Sequence, residues 1–242
     1  MGSETKVIWV TGGSSGIGQA IAKNFAKINC KVYISSRRNT ELERTAKQFS
    51  KEKLKVYSLP CNVASETNVN AVAKQILRES ARIDCLINCA GITSFKHAVD
   101  SSNREIKDII NTNLLGSIFC MKAVLPEMMK KKSGLIINIS STAAEKIYLG
   151  SAAYSASKTG IIAFSKVVRE EIRESGVKIV NVLPGPTETQ MWSQAQRKSS
   201  SHLMMKPDDL AHIIVSIFLQ PNDVVTEEIL IRPISGDLKV QD

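Results

Sequence analysis

The sequence predicts an α/β fold: one doubly wound domain over residues 1–242, with a parallel sheet of about seven strands and helices on both faces. Three observations carry this. Short apolar runs alternate with segments of helical periodicity along the whole chain. The apolar runs are continuous rather than alternating, as expected when helices cover both faces of a sheet. No linker rich in Pro, Gly or Ser divides the chain, and no internal repeat or low-complexity segment interrupts it. A compact chain of 242 residues buries roughly 70–75% of its unfolded surface, so it folds without a disulfide or a metal.

The first strand is predicted over residues 6–10, Lys6-Val7-Ile8-Trp9-Val10. Ile17, Ile21, Phe25 and Ile28 step by 4, 4 and 3, which is one face of the first helix. A strand at 31–35, a charged helix at 39–53, a strand at 55–59, a helix at 66–82 and a strand at 83–89 continue the alternation. One long helix is predicted over 103–131, then a strand at 135–140. A helix starting near Tyr154 places Ile161, Phe164, Val168 and Ile172 on one face. The strand at 177–183 is broken by Pro184-Gly185-Pro186. Residues 187–205 are Ser-rich and lack periodicity, which predicts a lid over a site. A helix at 207–219 and a strand at 228–232 close the pattern.

Composition narrows the function classes. The chain is 43% hydrophobic and 23% charged, the globular average, which argues against disorder. Its uninterrupted apolar runs fall far short of the ~20 residues of a membrane span. Residues 1–6 carry no apolar leader, so a cytoplasmic chain with no membrane partner is expected. Cys30, Cys61, Cys85, Cys89 and Cys120 form no CxxC pair and sit in apolar stretches, as reduced thiols do. No His lies at ligand spacing from any pair of them, so no metal is expected. The net charge of +9 suits an anionic partner or an ordinary basic surface. Its densest run, Lys130-Lys131-Lys132, falls at a predicted helix C-terminus, where cations suit the dipole. It has no aromatic neighbours for base stacking, so nucleic acid is not an expected partner.

The strongest local signal is Thr11-Gly12-Gly13-Ser14-Ser15-Gly16-Ile17-Gly18, between the first strand and the first helix. Small residues let the backbone approach a pyrophosphate, and the free N–H groups of the helix start face its charge. Tyr154 and Lys158 are four residues apart and share a helix face. At an effective dielectric of ~20, a cation at ~4 Å would lower a phenol pKa by up to ~3 units. Ser141 ends the preceding strand and can present its hydroxyl at the carboxyl edge of the sheet. After the second strand, Ser36-Arg37-Arg38 offers a hydroxyl and two cations where no acid stands, a pattern suited to a ribose 2′-phosphate.

The spacing Gly12-x-x-x-Gly16-x-Gly18 resembles that of the short-chain dehydrogenase/reductase family, and five further motifs match it in order. Asn88-Cys89-Ala90-Gly91 is similar to its Asn-Asn-Ala-Gly, with Cys for the second Asn. Cys61-Asn62-Val63 is similar to its Asp-Val at the adenine, with Asn for Asp. Asn111-Thr112-Asn113-Leu114 matches the segment of its catalytic Asn. Ser141 stands thirteen residues before the Tyr of Tyr154-Ser155-Ala156-Ser157-Lys158, the family's Tyr-x-x-x-Lys. Pro184-Gly185-Pro186-Thr187-Glu188-Thr189 resembles the turn that holds the nicotinamide.

The resemblance implies a Rossmann-type fold and NADP(H) as cofactor. It implies Tyr154 as acid/base, Lys158 as its tuner and ribose ligand, Ser141 on the carbonyl oxygen, and Asn113 on a relay water. Implied cofactor contacts are Gly12, Ser14, Ser15, Gly16, Ile17, Gly18, Ser36, Arg37, Arg38, Asn62, Val63, Asn88, Ala90, Gly91, Pro184, Gly185, Thr187 and Thr189. Met191 and Trp192 in the lid, with Thr142 and Tyr148, are expected to wall a pocket for a small ketone, aldehyde or alcohol. Reduction of 3-oxoacyl groups on an acidic acyl-carrier protein is the alternative. Against it, Ser175 stands where such reductases often carry Arg, and 227–233 lacks a glycine-rich finish. A non-catalytic NADP-binding sensor is a remote alternative, since all four catalytic positions are filled. A homodimer or homotetramer through the helices at 103–131 and 154–174 is also implied.

Overall fold

The computed structural model describes residues 4–236 and 238; residues 1–3, part of the N-terminal segment read for a leader, lie outside them. Seven strands form one parallel sheet: β1 (Val7–Thr11), β2 (Lys31–Ser35), β3 (Val56–Ser58), β4 (Cys85–Asn88), β5 (Gly134–Ile139), β6 (Val177–Pro184) and β7 (Glu228–Ile231). Their order is β3-β2-β1-β4-β5-β6-β7. The winding reverses between β1 and β4, so the carboxyl ends of these two strands border the crevice where α/β sheets bind ligands.

The helices fill two layers. Ile8 and Val10 of β1 face a core with Ile21 and Phe25 of α1 (Gly16–Lys27), Leu42 and Phe49 of α2 (Asn39–Lys51), and Leu210 and Ile214 of α8 (Pro207–Phe218). Val7 and Trp9 face the other core, with Val69 and Ile76 of α3 (Glu66–Ser80), Met121 of α5 (Gly116–Lys130) and Ile161 of α6 (Ala152–Glu171). Alternate side chains therefore serve opposite layers, and both layers are apolar, which is why the strand sequences show no alternation.

The helix expected at 103–131 is broken. It consists of α4 (Asn103–Ile109), a π turn at Ile110–Leu115, and α5. A π turn carries one residue more than an α turn needs, and such bulges gather at functional sites. Ser117 Oγ donates to the carbonyl of Asn113 at 2.8 Å within it. Residues 103–130 are long and apolar enough to cross a membrane by length and composition, with a mean hydropathy of 1.3 over 18 residues. Cys120, Met121, Val124 and Met128 of this rod lie in the second core, so its apolarity is that of a core helix.

The segment 187–205 is also more ordered than its sequence suggests. It holds α7 (Gln194–Ser200), opened by a capping box between Ser193 and Gln196. Its ends are tied together by a parallel bridge between Thr187 and Met205.

A line of amides crosses the second half of the sheet. Asn88, Asn138, Asn181 and Glu228 are successive register partners on β4, β5, β6 and β7. Asn88 Nδ2 donates to Asn138 Oδ1 at 2.8 Å, Asn138 Nδ2 to Asn181 Oδ1 at 3.4 Å, and Asn181 Nδ2 to Glu228 Oε1 at 3.3 Å. Asn138 Nδ2 also donates to Ser165 Oγ of α6 at 2.9 Å.

Candidate active site

The glycine-rich turn leaves β1 and doubles back onto the end of β4. Gly12 has φ +68°, and a Cβ there would meet Ala90 N and Cys89 O at 2.9 Å. A Cβ on Gly18 would lie 2.4 Å from Gly12 O, so α1 can pack on the turn only without one. Thr11 fastens the two loops: its Oγ1 accepts from Cys89 N at 3.1 Å and from Ala90 N at 3.2 Å. Gly16 faces Thr189 across the crevice, with a Cβ position 3.1 Å from Thr189 Cγ2. Gly12, Gly16, Gly18, Ala90 and Thr189 are thus brought together at the turn, a cradle of small residues of the kind a pyrophosphate needs, while Ile17 packs on the first core and Ser14 is buried.

At the end of β2, Arg37 is exposed and makes no ion pair or hydrogen bond among the described residues. Arg38 is paired with Glu41 instead. Ser36 Oγ is turned onto the Arg38 backbone, accepting from its N–H at 3.1 Å. Asn62 is exposed, with Oδ1 accepting from Ala64 N at 3.3 Å. Two expected contacts are placed elsewhere. Val63 is buried, and a Cβ on Gly116 would lie 2.7 Å from its Cγ2, so its side chain belongs to the core. Asn88 is 3% exposed and its Nδ2 is held by Asn138 and Ser117, so its side chain is a strand tie rather than a cleft ligand.

The catalytic candidates meet beside this crevice. Tyr154 and Lys158 rise from the first turns of α6 and are both buried. Ser141, in the loop after β5, is the polar neighbour whose hydroxyl acts on the Tyr154 phenol; its Oγ also accepts from Ala143 N at 3.1 Å. Lys158 Nζ donates to the carbonyl of Ile139 at 2.7 Å and lies 5.6 Å from the Tyr154 ring centre. Asn113 Oδ1 accepts from Ile92 N at 2.8 Å, and its Nδ2 donates to Ile92 O at 2.9 Å and Ser157 Oγ at 3.1 Å. A Cβ on Gly91 would sit 3.5 Å from Asn113 Oδ1 and 3.7 Å from Lys158 Nζ, which joins the two halves of the site.

Burial reverses the expected sign at the phenol. Burial pushes Tyr154 up to about 12, and the Ser141 hydrogen bond only moderates this. Burial likewise pulls Lys158 down to about 8, with Cys89 opposing. The ammonium is turned to a backbone carbonyl and has itself lost water, so the simple pairwise arithmetic overstated its pull. Cys89, partly exposed beside Lys158, is pushed up to about 12 by burial.

Residues 6–200 match the family model of the short chain dehydrogenases. The chain belongs to this family. It is similar to the sepiapterin reductase of Chlorobaculum tepidum, 32% identical over 240 residues that cover 96% of this chain and 98% of the relative. Among solved structures it is similar to a metagenomic short-chain oxidoreductase in complex with NADP, with a TM-score of 0.83, 28% identity and coverage of 94% of this chain and 96% of that one. It is also similar to an actinorhodin polyketide ketoreductase with NADPH, with a TM-score of 0.88, 25% identity and coverage of 97% and 98%.

In this short-chain dehydrogenase the residues expected to wall the pocket fall in two segments, the loop after β5 and the lid. Thr142 Oγ1 and Tyr148 OH lie 3.2 Å apart, Trp192 Nε1 donates to Thr187 O at 3.0 Å, and Met191 is exposed at the rim. Gly185 N donates to Ile231 O at 2.7 Å, so the Pro184–Gly185 turn is fixed by β7. Sequence reasoning missed Thr11, Ser117 and Ser157. A hydroxyl that bonds backbone across 78 residues leaves no local signal, whereas Ser157 lay inside the Tyr-x-x-x-Lys stretch.

Proposed function

We propose that this chain is an NADP(H)-dependent oxidoreductase acting on CH–OH groups, interconverting a small ketone or aldehyde and its alcohol. The observation that carries this is the convergence of buried Tyr154, Lys158 and Asn113 around Gly91, beside the Ser141 hydroxyl and a glycine turn that a Cβ would block. The cofactor supplies or accepts a hydride at its nicotinamide. The chain's own residues do the rest. With its phenol held protonated, Tyr154 donates a proton to the forming alkoxide. Ser141 holds the carbonyl oxygen within reach of that proton. Lys158 is placed to hold the ribose and to return a proton to Tyr154. The side-chain amide of Asn113 is occupied by Ile92 and Ser157. Its carbonyl, already bonded to Ser117, has a second lone pair for the relay water. The direct test is NADPH oxidation at 340 nm with a panel of ketones and aldehydes; no turnover of any of them overturns the reading.

Arg37 is the residue that selects NADP(H), because it alone of the two cations at this corner is unpaired among the described residues. NADH is expected to be worse by about 30- to 1000-fold in kcat/KM, the loss of one or two charged hydrogen bonds. Arg37→Asp is expected to abolish most of that preference. A wild type that prefers NADH, or a variant with unchanged preference, refutes the assignment.

The segment 187–205 acts as the lid, anchored by its Thr187–Met205 bridge. Hydrogen exchange at 188–204 is expected to slow when NADPH and a substrate analogue bind; equal protection with and without them contradicts it. Exposed Leu115, Met129 and Val167 on and beside the long helices favour a homodimer or homotetramer, readable by native mass spectrometry. The polyketide ketoreductase likeness and the charge of +9 favour a second reading, 3-oxoacyl reduction on an acidic acyl-carrier protein. A gain in kcat/KM for the carrier-bound over the free thioester, lost at high salt, supports it.

A further inference from the structure

Resting on the carbonyl-reductase reading above, we propose that Phe95 and Trp192 form an aromatic clamp that selects carbonyl substrates joined to a planar aromatic ring. The loops after β4 and β5 and the lid after β6 lie at the carboxyl edge of the sheet, the edge that carries Ser141 and Tyr154, and two contacts join them. The loop after β4 meets the loop after β5 where Lys96 N donates to Gly150 O at 2.9 Å. The same β4 loop meets the lid where the Phe95 and Trp192 rings stack, centroids 6.0 Å apart and planes 17° off parallel.

The pair is held for such a role. The Trp192 indole is oriented by its Nε1–H bond to Thr187 O at 3.0 Å, next to the bridge that anchors the lid. The backbone before Phe95 is pinned by the two hydrogen bonds between the Asn113 side chain and the Ile92 main chain. Phe95 is nevertheless 50% exposed, and Ile147, Leu149 and Met191 on the enclosing segments are 94%, 83% and 42% exposed. An apolar surface of this kind beside catalytic hydroxyls needs an apolar occupant. Parallel rings favour a flat one, since offset stacking adds to burial.

The experiment measures kcat/KM with NADPH for an aryl ketone and an aliphatic ketone of equal heavy-atom count, in wild type, Phe95→Leu, Trp192→Leu and the double variant. The aryl preference is expected to fall about 3- to 10-fold in each single variant, and the double variant is expected to lose little more, because the rings act as one pair. Trp9, the other tryptophan, is fully buried, so Trp192 reports binding directly. Its fluorescence is expected to be quenched by the aryl ketone, not by the aliphatic one, in the enzyme–NADPH complex. An unchanged preference in both single variants overturns the clamp. If neither ketone is reduced, the reaction reading falls instead, and the quenching alone decides the clamp. Loss of self-association in Ile147→Ser with an unchanged aryl preference would assign the rim to a second copy of the chain and also overturn the proposal.

Discussion

Tyr154→Phe is expected to lower kcat/KM for carbonyl reduction by about 10²- to 10⁴-fold, the range of a lost general acid. Affinity for NADPH should stay within about twofold, since the ring remains and only the phenol hydroxyl is removed. The same change removes a buried hydroxyl together with its bond to Ser141, so stability should fall by no more than about 1–2 kcal/mol. Single-turnover kinetics with a fluorescence titration of NADPH separate the two effects. Retention of more than about a tenth of wild-type turnover refutes the assignment of the acid.

Lys158→Met is expected to lose turnover, weaken NADPH binding and yet stabilise the protein free of cofactor. The amine is held at about 8 by burial against an ordinary 10.5. The unfolded chain therefore binds a proton more tightly than the folded one, and the difference opposes folding by about 3 kcal/mol at pH 7. The sign follows from which state keeps the proton. Below pH 8 the penalty is complete; between pH 8 and 10.5 the folded amine is neutral while the unfolded one is charged, so the penalty shrinks as pH rises. Methionine has no such term, and it gives up only the bond to Ile139 O. Urea unfolding should show the variant more stable by about 1–3 kcal/mol at pH 7, with the curves converging toward pH 10. A variant less stable at pH 7 would show that the amine is better accommodated than its burial implies.

Local features were legible in the sequence. Gly12, Gly16 and Gly18 declare a turn that a Cβ would block, and Tyr154 and Lys158 declare one helix face by their spacing. Apolar runs gave all seven strands; the five inner ones are covered on both faces, while the edge strands β3 and β7 are partly exposed. What was hidden depends on distance or on small departures from regularity. The π turn at Ile110–Leu115 adds a single residue inside an apolar helical stretch, so periodicity averages over it. Helix α7 has no buried residue and only two turns, and its one signal was the Ser193/Gln196 box. The Tyr154 phenol was misjudged because charge is visible in a sequence and dehydration is not.

The amides that cross β4, β5, β6 and β7 have a consequence for how the chain finds its structure. The strands they join, rich in Val, Ile and Leu, would accept a neighbour displaced by two residues with nearly the same apolar burial. Asn88, Asn138, Asn181 and Glu228 remove that degeneracy, since three amides and the carboxylate that ends the row meet side by side only when all four strands are aligned. A displaced pairing would strand a buried amide against aliphatic carbon at about 1–3 kcal/mol for each partner left unmatched. The row works like the notches of a key cut into a uniform blade: a greasy sheet with many near-equivalent alignments is left with one, and that one sets the heights at which β4, β5 and β6 hand over to the loops carrying Gly91, Ser141 and Gly185.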